Sequence, residues 1–287
     1  MKICIYKKSQ RISFIDDFYE SIFKGLKTKC INFSINDTNK YEDCDVAVFW
    51  GKPKYILPDY KIKTDLIKKF HKKKKKVLLL ERGFIKREDY FQSRFYNKDK
   101  TYTNTNFTDS SRWEKLKTEL KPWKSNGKYI LLILQVPWDA SVQESNHFQW
   151  CNDVIQKLRK ITDEIIKIRP HPLFLSNKSH GGYSNLKIYV PPNCEIIDSS
   201  KINFEESLKY SKCVINYNST CGCESIIHGV PTVTMNFDSI AYNISMNRIS
   251  DIKNIKYSAR ENWAYNLAYN QWSKQEFEKG IPWDYLL

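Results

Sequence analysis

Short apolar runs alternate with amphipathic stretches along the first half of this 287-residue chain. Four continuous apolar runs predict strands, and two stretches with apolar residues at helical spacing predict helices. The strands are predicted at 2–6, 30–35, 44–51 and 76–83, and the helices at 13–27 and 62–75. Continuous apolar strands separated by helices indicate a parallel sheet that is covered on both faces.

The same alternation begins again after residue 128, behind a polar, aromatic stretch at 86–127 that has no clear period. Strands are predicted at 129–135, 164–170, 193–198, 212–216 and 231–235, and helices at 145–161, 203–211 and 220–228. Residues 120–128 are typical of a linker, and the tail, which is rich in Trp and Tyr, is predicted to be helical.

The chain is therefore predicted to be an α/β protein with two domains. The first domain is expected at 1–125 and the second at 126–272, with residues 273–287 as a tail that packs back on the first domain. In open α/β sheets, ligands bind at the carboxyl ends of the strands. A ligand cleft is expected where those ends of the two sheets face each other.

One unit of the second half, "VINYNSTCGCESIIHGVPTVTM" at 214–235, predicts a strand, a polar turn, a helix and a strand. Ser219 is suited to cap the helix start, and Gly229 to its left-handed end. Free amides at a helix start form an anion site, and Glu224, about one turn inside, lies within reach of a ribose hydroxyl. The alternative is a capped helix without a ligand, with Glu224 in solvent.

The net charge of +15 is uneven, because residues 1–127 contain 30 lysines and arginines against 16 aspartates and glutamates. This half therefore carries +14, which suggests a polyanionic partner: nucleic acid, anionic lipid or acidic glycan. The alternative is that lysine reflects an AT-rich coding sequence and that "KKFHKKKKK", at 68–76, is the solvated end of a helix.

Composition excludes several other classes of protein. High aromatic and low glycine content indicates a packed globular chain. No apolar run has the length of a signal peptide or a membrane-spanning helix, so a cytoplasmic protein is expected. The eight scattered cysteines include Cys221 and Cys223, whose spacing with His228 does not match a zinc site, and no metal is expected.

Three segments that follow predicted strands of the second half carry polar groups suited to a nucleotide. They contribute Gln135, Asp139, Ser141, Arg169, His171, Ser219, Thr220 and Glu224. Arg169 and the helix start would hold phosphate, and Asp139 would act as general base on an acceptor hydroxyl. The alternatives are that His171, between two prolines, is a rigid turn residue and that Asp139 caps the helix after it.

The segments "LQVPWDASVQ", "IRPHP" and "NSTCGCESIIHGVPTVTM" resemble the motifs of the capsule-polysaccharide glycosyltransferases, a family that includes bacterial Kdo transferases. "ERGF" at 81–84 and the Trp-rich tail are also similar to members of this group. The resemblance implies a GT-B architecture of two facing Rossmann-like domains, with the acceptor bound mainly by the first and the nucleotide sugar by the second. Cys-Gly-Cys at 221–223 departs from the family, where bulkier apolar residues are commoner.

The resemblance also implies that His171 and Glu224 contact the nucleotide part of the donor and that Asp139 lies near the reaction centre. Asp139 and His171 are the expected catalytic residues, with no tightly bound cofactor or metal. The donor, a CMP-, UDP- or GDP-linked sugar, is expected to contact Gln135, Arg169, His171, Asn218, Ser219, Thr220 and Glu224.

The acceptor is predicted from the charge of the first half. Our first hypothesis is a hydroxymethylated base in viral DNA, which places the enzyme in the host cytoplasm. The polyanion would contact Lys72, Lys73, Lys74, Arg82, Arg87 and Arg94. The aromatics Tyr90, Phe91, Phe95 and Tyr96 would then assist base flipping, although an ordinary aromatic core is the favoured interpretation of these four.

Two alternatives to this acceptor remain open. One is a glycosyltransferase that acts on a capsular or lipid-linked glycan at the inner membrane, with the basic half on anionic lipid. The other is a non-catalytic nucleic-acid-binding protein on a glycosyltransferase scaffold.

Overall fold

The computed structural model describes residues 1–7, 13–53, 61–97, 100–102, 107, 109–142 and 146–287. The chain divides into two compact units. Unit 1 contains 1–117 and 262–287, and unit 2 contains 118–261. The first predicted domain boundary, at 125, lies after the observed one at 117. The second, at 272, lies after the observed one at 261.

The described strands alternate with helices in most of the chain. In chain order the strands are β1 (Lys2–Tyr6), β2 (Asn32–Asn36), β3 (Val46–Trp50), β4 (Lys76–Arg82), β5 (Tyr90–Asn97), β6 (Lys100–Tyr102), β7 (Tyr129–Ile133), β8 (Ile166–Arg169), β9 (Cys194–Ile196), β10 (Ser211–Asn216), β11 (Thr232–Thr234) and β12 (Gln271–Ser273). The helices are α1 (Ser13–Thr28), α2 (Lys61–Lys72), α3 (Ser111–Lys115), α4 (His147–Arg159), α5 (Pro172–Ser176), α6 (Phe204–Leu208), α7 (Cys221–Ile227), α8 (Glu261–Tyr269), α9 (Lys274–Glu278) and α10 (Trp283–Leu286).

The sheet of unit 1 has the order β12-β5-β4-β3-β1-β2, and β6 pairs with β5. Strands β1 to β4 are parallel, as predicted. The unassigned stretch contributes β5, which runs antiparallel to β4, and the tail contributes β12, which runs antiparallel to β5. The prediction of a wholly helical tail is therefore wrong, because a three-residue strand carries too little periodicity to be recognised in a sequence.

The core of unit 1 is aromatic and includes the tail. Phe18 of α1 stacks on Phe91 of β5, with ring centroids 3.7 Å apart. Trp272, together with Phe277 and Trp283 of the tail, belongs to the same buried cluster. Because burial of such side chains is the main source of folding free energy, the tail is an integral part of this unit.

The sheet of unit 2 is parallel throughout, with the order β11-β10-β7-β8-β9. Its central strand β7 is buried along its whole length. Helix α4 covers the sheet with Cys151, Val154, Ile155 and Leu158, which recur at helical spacing. The predicted strands and helices of this half are confirmed, with ends that differ by a few residues.

The two units thus carry one Rossmann-like α/β sheet each. No helix in the described ranges is sufficiently long and apolar to span a bilayer.

Candidate functional site

The polar segments of unit 2 converge at one edge of its sheet. Strands β7, β8 and β10 are parallel, so their carboxyl ends lie together. Gln135 follows β7, Arg169 ends β8, and Asn218 follows β10. The topology therefore brings the three sequence segments to the edge at which α/β sheets bind ligands.

Gln135 is the centre of a hydrogen-bonded network at this edge. Its side-chain Oε1 accepts the backbone N–H of Asn218 at 3.0 Å, and its Nε2 donates to Asn218 Oδ1 at 2.9 Å and to Ser141 Oγ at 3.0 Å. Asn218 Nδ2 in turn donates to the backbone oxygen of Ser141 at 2.7 Å. Since Gln135 is buried, these bonds fix the loop after β7 against the turn after β10.

Asp139 lies in the same loop and is exposed. Its Oδ1 accepts from the backbone N–H of Ser141 at 2.7 Å and from Ser141 Oγ at 2.6 Å. These two bonds orient the carboxylate, which does not cap α4; Asn146 caps that helix. An exposed and oriented carboxylate has the geometry that a general base needs.

His147 is a member of this network that the sequence did not reveal. Its Nε2 accepts the backbone N–H of Gln135 at 3.0 Å, so the neutral ring carries its proton on Nδ1. The ring is buried and stacks on Trp150, with centroids 4.9 Å apart and planes 4° apart. The only signal in the sequence is the spacing of the two rings, which places both on one face of α4.

Arg169 is buried at the end of β8. Its Nη1 donates to the backbone oxygen of Ile202 at 2.8 Å and to Ser207 Oγ at 2.9 Å. Burial lowers the pKa of this guanidinium. No carboxylate lies within 4 Å of it in the part of the chain that the structure describes, so neutral groups hold a buried positive charge, which favours an anion at this edge.

His171 is exposed and caps α5. Its backbone is extended, and its Nδ1 accepts the backbone N–H of Leu173 at 3.0 Å. The neighbouring prolines restrict the backbone, and the accepted bond fixes the ring. With Nδ1 as acceptor, the neutral ring carries its proton on Nε2, which is the arrangement for donation to a phosphate oxygen.

The turn before α7 differs from the prediction in two respects. Ser219 Oγ accepts the amide of Cys221 at 3.2 Å, but the residue at the N-cap is Thr220, not Ser219. The amides of Gly222 and Cys223 donate to the backbone oxygens of Ser219 and Thr220. The first-turn amides are thus already bonded within the turn, and α7 has only seven residues. These amides are therefore not available to an anion, and Glu224 lies half-buried one turn inside the helix.

The residues predicted to bind a polyanion do not form one surface. Lys72, Lys73 and Lys74 lie at the end of α2, beside the start of β4, whereas Arg82 ends that strand, about 20 Å away. Arg94 is buried, stacks over Phe84 at 5.0 Å from the ring centroid and donates to Gln92 Oε1 at 3.1 Å. Its assignment to a binding surface does not fit this placement.

Arg82 and Arg87 lie instead on an open groove of about 770 Å³ at the carboxyl edge of the sheet in unit 1. Arg82 pairs with Glu88 at 2.9 Å, and Arg87 Nη1 donates to the backbone oxygen of Gly83 at 3.0 Å. Lys86, Tyr90 and Lys274 also line the groove. It therefore combines cations, carboxylates and an aromatic wall, the mixture of groups that binds polar ligands.

The predicted base-flipping aromatics are core residues. Phe91, Phe95 and Tyr96 are each at most 6% exposed, and Tyr90 is half-buried. The favoured interpretation, an ordinary aromatic core, is confirmed for the first three. No group of three or more His, Cys, Asp or Glu side chains suited to a metal occurs among the described residues.

No protein-family model matches the sequence. No curated protein matches it either.

Solved structures with a similar fold include two of KpsC from Thermosulfurimonas dismutans. The beta Kdo 2,4 transferase superposes with a TM-score of 0.58 at 12% identity, over 93% of this chain and 91% of the other. The beta Kdo 2,7 transferase superposes with a TM-score of 0.55 at 17% identity, over 98% of both chains. At these identities the likeness shows the fold, and it confirms the GT-B-type assignment.

Proposed function

We propose that this protein is a glycosyltransferase that moves a sugar from a nucleotide-activated donor to an acceptor hydroxyl. The observation that carries the proposal is the network of Gln135, Asp139, Ser141 and Asn218 at the carboxyl edge of the unit 2 sheet. It stands in a chain whose fold matches two Kdo transferases over more than 90% of its length.

The donor is expected to bind at this edge of unit 2. Arg169 supplies positive charge, and Nε2 of His171 supplies a proton donor for the phosphate oxygens. Glu224 accepts from a ribose hydroxyl, and the Gln135–Asn218 pair shapes the floor of the site. The fold neighbours are Kdo transferases, so a CMP-linked sugar is the first donor to test, before UDP- and GDP-linked sugars.

Asp139 is proposed as the general base. Its carboxylate takes the proton of the acceptor hydroxyl while the hydroxyl oxygen bonds to the anomeric carbon of the sugar. The bond from that carbon to the nucleotide breaks, and the nucleotide leaves with the electron pair. Arg169 and His171 stabilise the negative charge that develops on the leaving phosphate.

The acceptor that the fold neighbours favour is a hydroxyl of a saccharide. The second candidate is a hydroxymethylated base in DNA, and the charge of unit 1 favours it. That unit contains 30 lysines and arginines against 18 aspartates and glutamates, or +12 of the net +15. Against DNA stands the burial of Phe91, Phe95 and Tyr96, which removes these side chains from any base-flipping role.

The test begins with the melting temperature of the protein in the presence of CMP, UDP, GDP and ADP. A nucleotide that binds only the folded state raises the melting temperature by mass action. The corresponding sugar nucleotide, labelled in the sugar, is then offered with an acidic oligosaccharide or with hydroxymethylated duplex DNA. Label in the saccharide supports the first acceptor, and label in the DNA supports the second.

Two results would overturn the proposal. If no nucleotide changes the melting temperature, the donor site does not exist. If DNA binds while no sugar nucleotide gives transfer or hydrolysis, the protein is a non-catalytic nucleic-acid-binding protein on this scaffold.

A further inference from the structure

The strongest concentration of charge outside the candidate site lies at the end of α2. Four lysines there, which we name the lysine patch, are exposed: Lys69, Lys72, Lys73 and Lys74. The patch lies at the amino-terminal edge of the unit 1 sheet, because α2 leads directly into the start of β4. The groove with Arg82 lies at the opposite end of that strand. The patch is therefore separate from any acceptor site in the groove.

The patch forms no ion pair with the described part of the chain, although Asp43 is close enough to interact electrostatically with Lys73. No carboxylate lies within 4 Å of its four ammonium groups in the described ranges of the chain, and the nearby Asp43 and Asp45 pair with Lys75, at 3.8 and 3.3 Å. Lys69 and Lys73 lie over the ring of Tyr41, at 4.4 and 4.5 Å from its centroid. The ring attracts both ammonium groups and so offsets part of the repulsion between these like charges.

Lys74 adds an independent observation. Its φ is +57°, in the left-handed position that follows a helix end. The amide of Lys75 donates to the backbone oxygen of Phe70, and the amide of Lys74 donates to the backbone oxygen of His71. These two bonds terminate the helix. Glycine adopts this left-handed conformation with the least backbone strain. A lysine there adds charge to the patch at the expense of backbone strain.

We propose that the lysine patch docks unit 1 on an anionic lipid bilayer. The patch is built of lysines without arginine, so it attracts a diffuse layer of negative headgroups without the forked geometry that reads phosphates or bases one by one. The patch surrounds the carboxyl end of α2, where the helix dipole is negative and repels a phosphate that approaches the backbone closely. The lysine side chains are long, so their charges act on headgroups at a distance from the helix end. Ile62, which is 57% exposed, shares a helix face with Lys69 and Lys73 and provides an apolar contact.

Nucleic acid is the other polyanion that the lysine patch could bind, and the observations favour it less than a bilayer. Among the described residues, the aromatic ring in contact with the patch is that of Tyr41, and Lys69 and Lys73 already lie over it, so it does not offer a free face to a base. A duplex bound at the patch would also lie at the edge of the sheet opposite the groove. The docking proposal does not depend on the proposed enzyme activity, because it concerns binding alone.

The test measures partition of the full-length protein onto vesicles by co-sedimentation. One set of vesicles is phosphatidylcholine, and the other contains about a third of phosphatidylglycerol, which gives a negative surface. The quadruple variant Lys69→Gln, Lys72→Gln, Lys73→Gln, Lys74→Gln removes the patch. A matched control replaces four exposed lysines of unit 2 by glutamine: Lys157, Lys160, Lys178 and Lys253.

The wild-type protein is expected to bind the anionic vesicles and not the neutral ones, with binding that weakens as salt is added. Each lysine near an anionic membrane surface raises the partition coefficient about fivefold. The partition coefficient of the patch variant should therefore fall at least about a hundredfold, and that of the control variant much less. The partition coefficient of Lys74→Gly should fall about fivefold while its melting temperature rises. A variant that binds less but is more stable shows that the loss of binding comes from the lost charge and not from unfolding.

Three outcomes would overturn the proposal. Equal binding to neutral and anionic vesicles removes the electrostatic basis. An equal loss in the unit 2 control variant shows that net charge, not the patch, is responsible. Duplex DNA that displaces the protein from vesicles at equal phosphate concentration identifies nucleic acid as the partner.

Discussion

Gln135 and Asn218 hold each other by two hydrogen bonds, one to the backbone and one to the side chain of Asn218. They join the loop after β7 to the turn after β10, at the edge of the sheet where the donor is proposed to bind. A buried amide with every bond made is rigid, and the loss of one partner leaves the other buried and unsatisfied. The pair therefore fixes the position of the loop that carries Asp139.

Gln135→Met tests this pair, because methionine nearly matches the shape of glutamine without its polar atoms. The backbone N–H of Asn218 and its Oδ1 lose their partner, so the free energy of unfolding should fall by about 1–3 kcal/mol. Urea unfolding measures the change. Gln149→Met is the control, since Gln149 is an exposed amide of α4 and its loss should matter little. Equal effects in the two variants would mean that the Gln135 network does not stabilise the fold.

Asp139→Asn tests the proposed general base. Asparagine keeps the oxygen that accepts from Ser141, so the loop should retain its conformation. The amide cannot take a proton, and transfer should fall by about a hundredfold to ten-thousandfold. The affinity for the nucleotide, measured by calorimetry, should not change. A variant that transfers sugar at the wild-type rate would exclude Asp139 as the base, and one that loses nucleotide affinity would indicate a role in donor binding.

The sequence predicts the sheet of unit 2 well and the second half of unit 1 poorly, for a physical reason. Strands β7 and β10 are buried on both faces, so they appear as continuous apolar runs. Strand β5 contains Gln92, Ser93 and Arg94, all buried, in the middle of an aromatic run. Polar residues at such positions hide the strand, because their burial depends on partners far away in the chain.

The candidate site shows the same limit. The strand ends that bring Gln135, Arg169 and Asn218 together follow from the pattern of apolar runs. The pairing of Gln135 with Asn218 does not, since 83 positions separate the two residues. The prediction of free amides before α7 is wrong for another reason. A turn whose amides bond within the turn has the same sequence signature as a turn that binds an anion.

The ion pair of Arg112 and Glu276 connects the tail to the rest of unit 1. Arg112 Nη1 lies 2.7 Å from Glu276 Oε1, and the guanidinium stacks on Trp272, 3.6 Å from its ring centroid. Both partners are largely withdrawn from water, so Arg112→Met, which removes one of them, should lower the free energy of unfolding by about 3–5 kcal/mol. Arg248→Met is an exposed control, and a similar loss there would contradict a special role for the buried pair.

This pair also predicts a dependence of stability on pH. Burial alone would raise the pKa of Glu276, but the hydrogen bond and charge of Arg112, together with the hydrogen bonds from Ser273, outweigh it, and the pKa is lowered from 4.5. The unfolded chain therefore binds this proton more readily than the folded one. The contribution of the pair is complete above the ordinary glutamate pKa and is lost as the pH falls through the lower folded value.

Urea unfolding from neutral pH into the acid range measures this contribution. The wild-type protein should lose stability below about pH 4.5, and Glu276→Gln should lose less over the same range because its side chain does not titrate. Glu195→Gln, which removes an exposed carboxylate of a surface pair, should leave the profile close to wild type. Identical profiles for wild type and Glu276→Gln would show that the folded pKa of Glu276 is not lowered.

Gly25 lies at a close contact between α1 and α9. A Cβ atom on Gly25 would lie 1.8 Å from the backbone oxygen of Phe277, which cannot move without displacing the tail. Alanine gains about 1 kcal/mol of helix propensity, but the overpacking should exceed this gain, and Gly25→Ala should lower the free energy of unfolding by about 1–3 kcal/mol. Lys27→Ala, on the exposed face of the same helix, should have little effect. If Gly25→Ala proves more stable than wild type, the tail does not pack on α1 through this contact, and the burial of Phe277 against Phe18 must be revised with it.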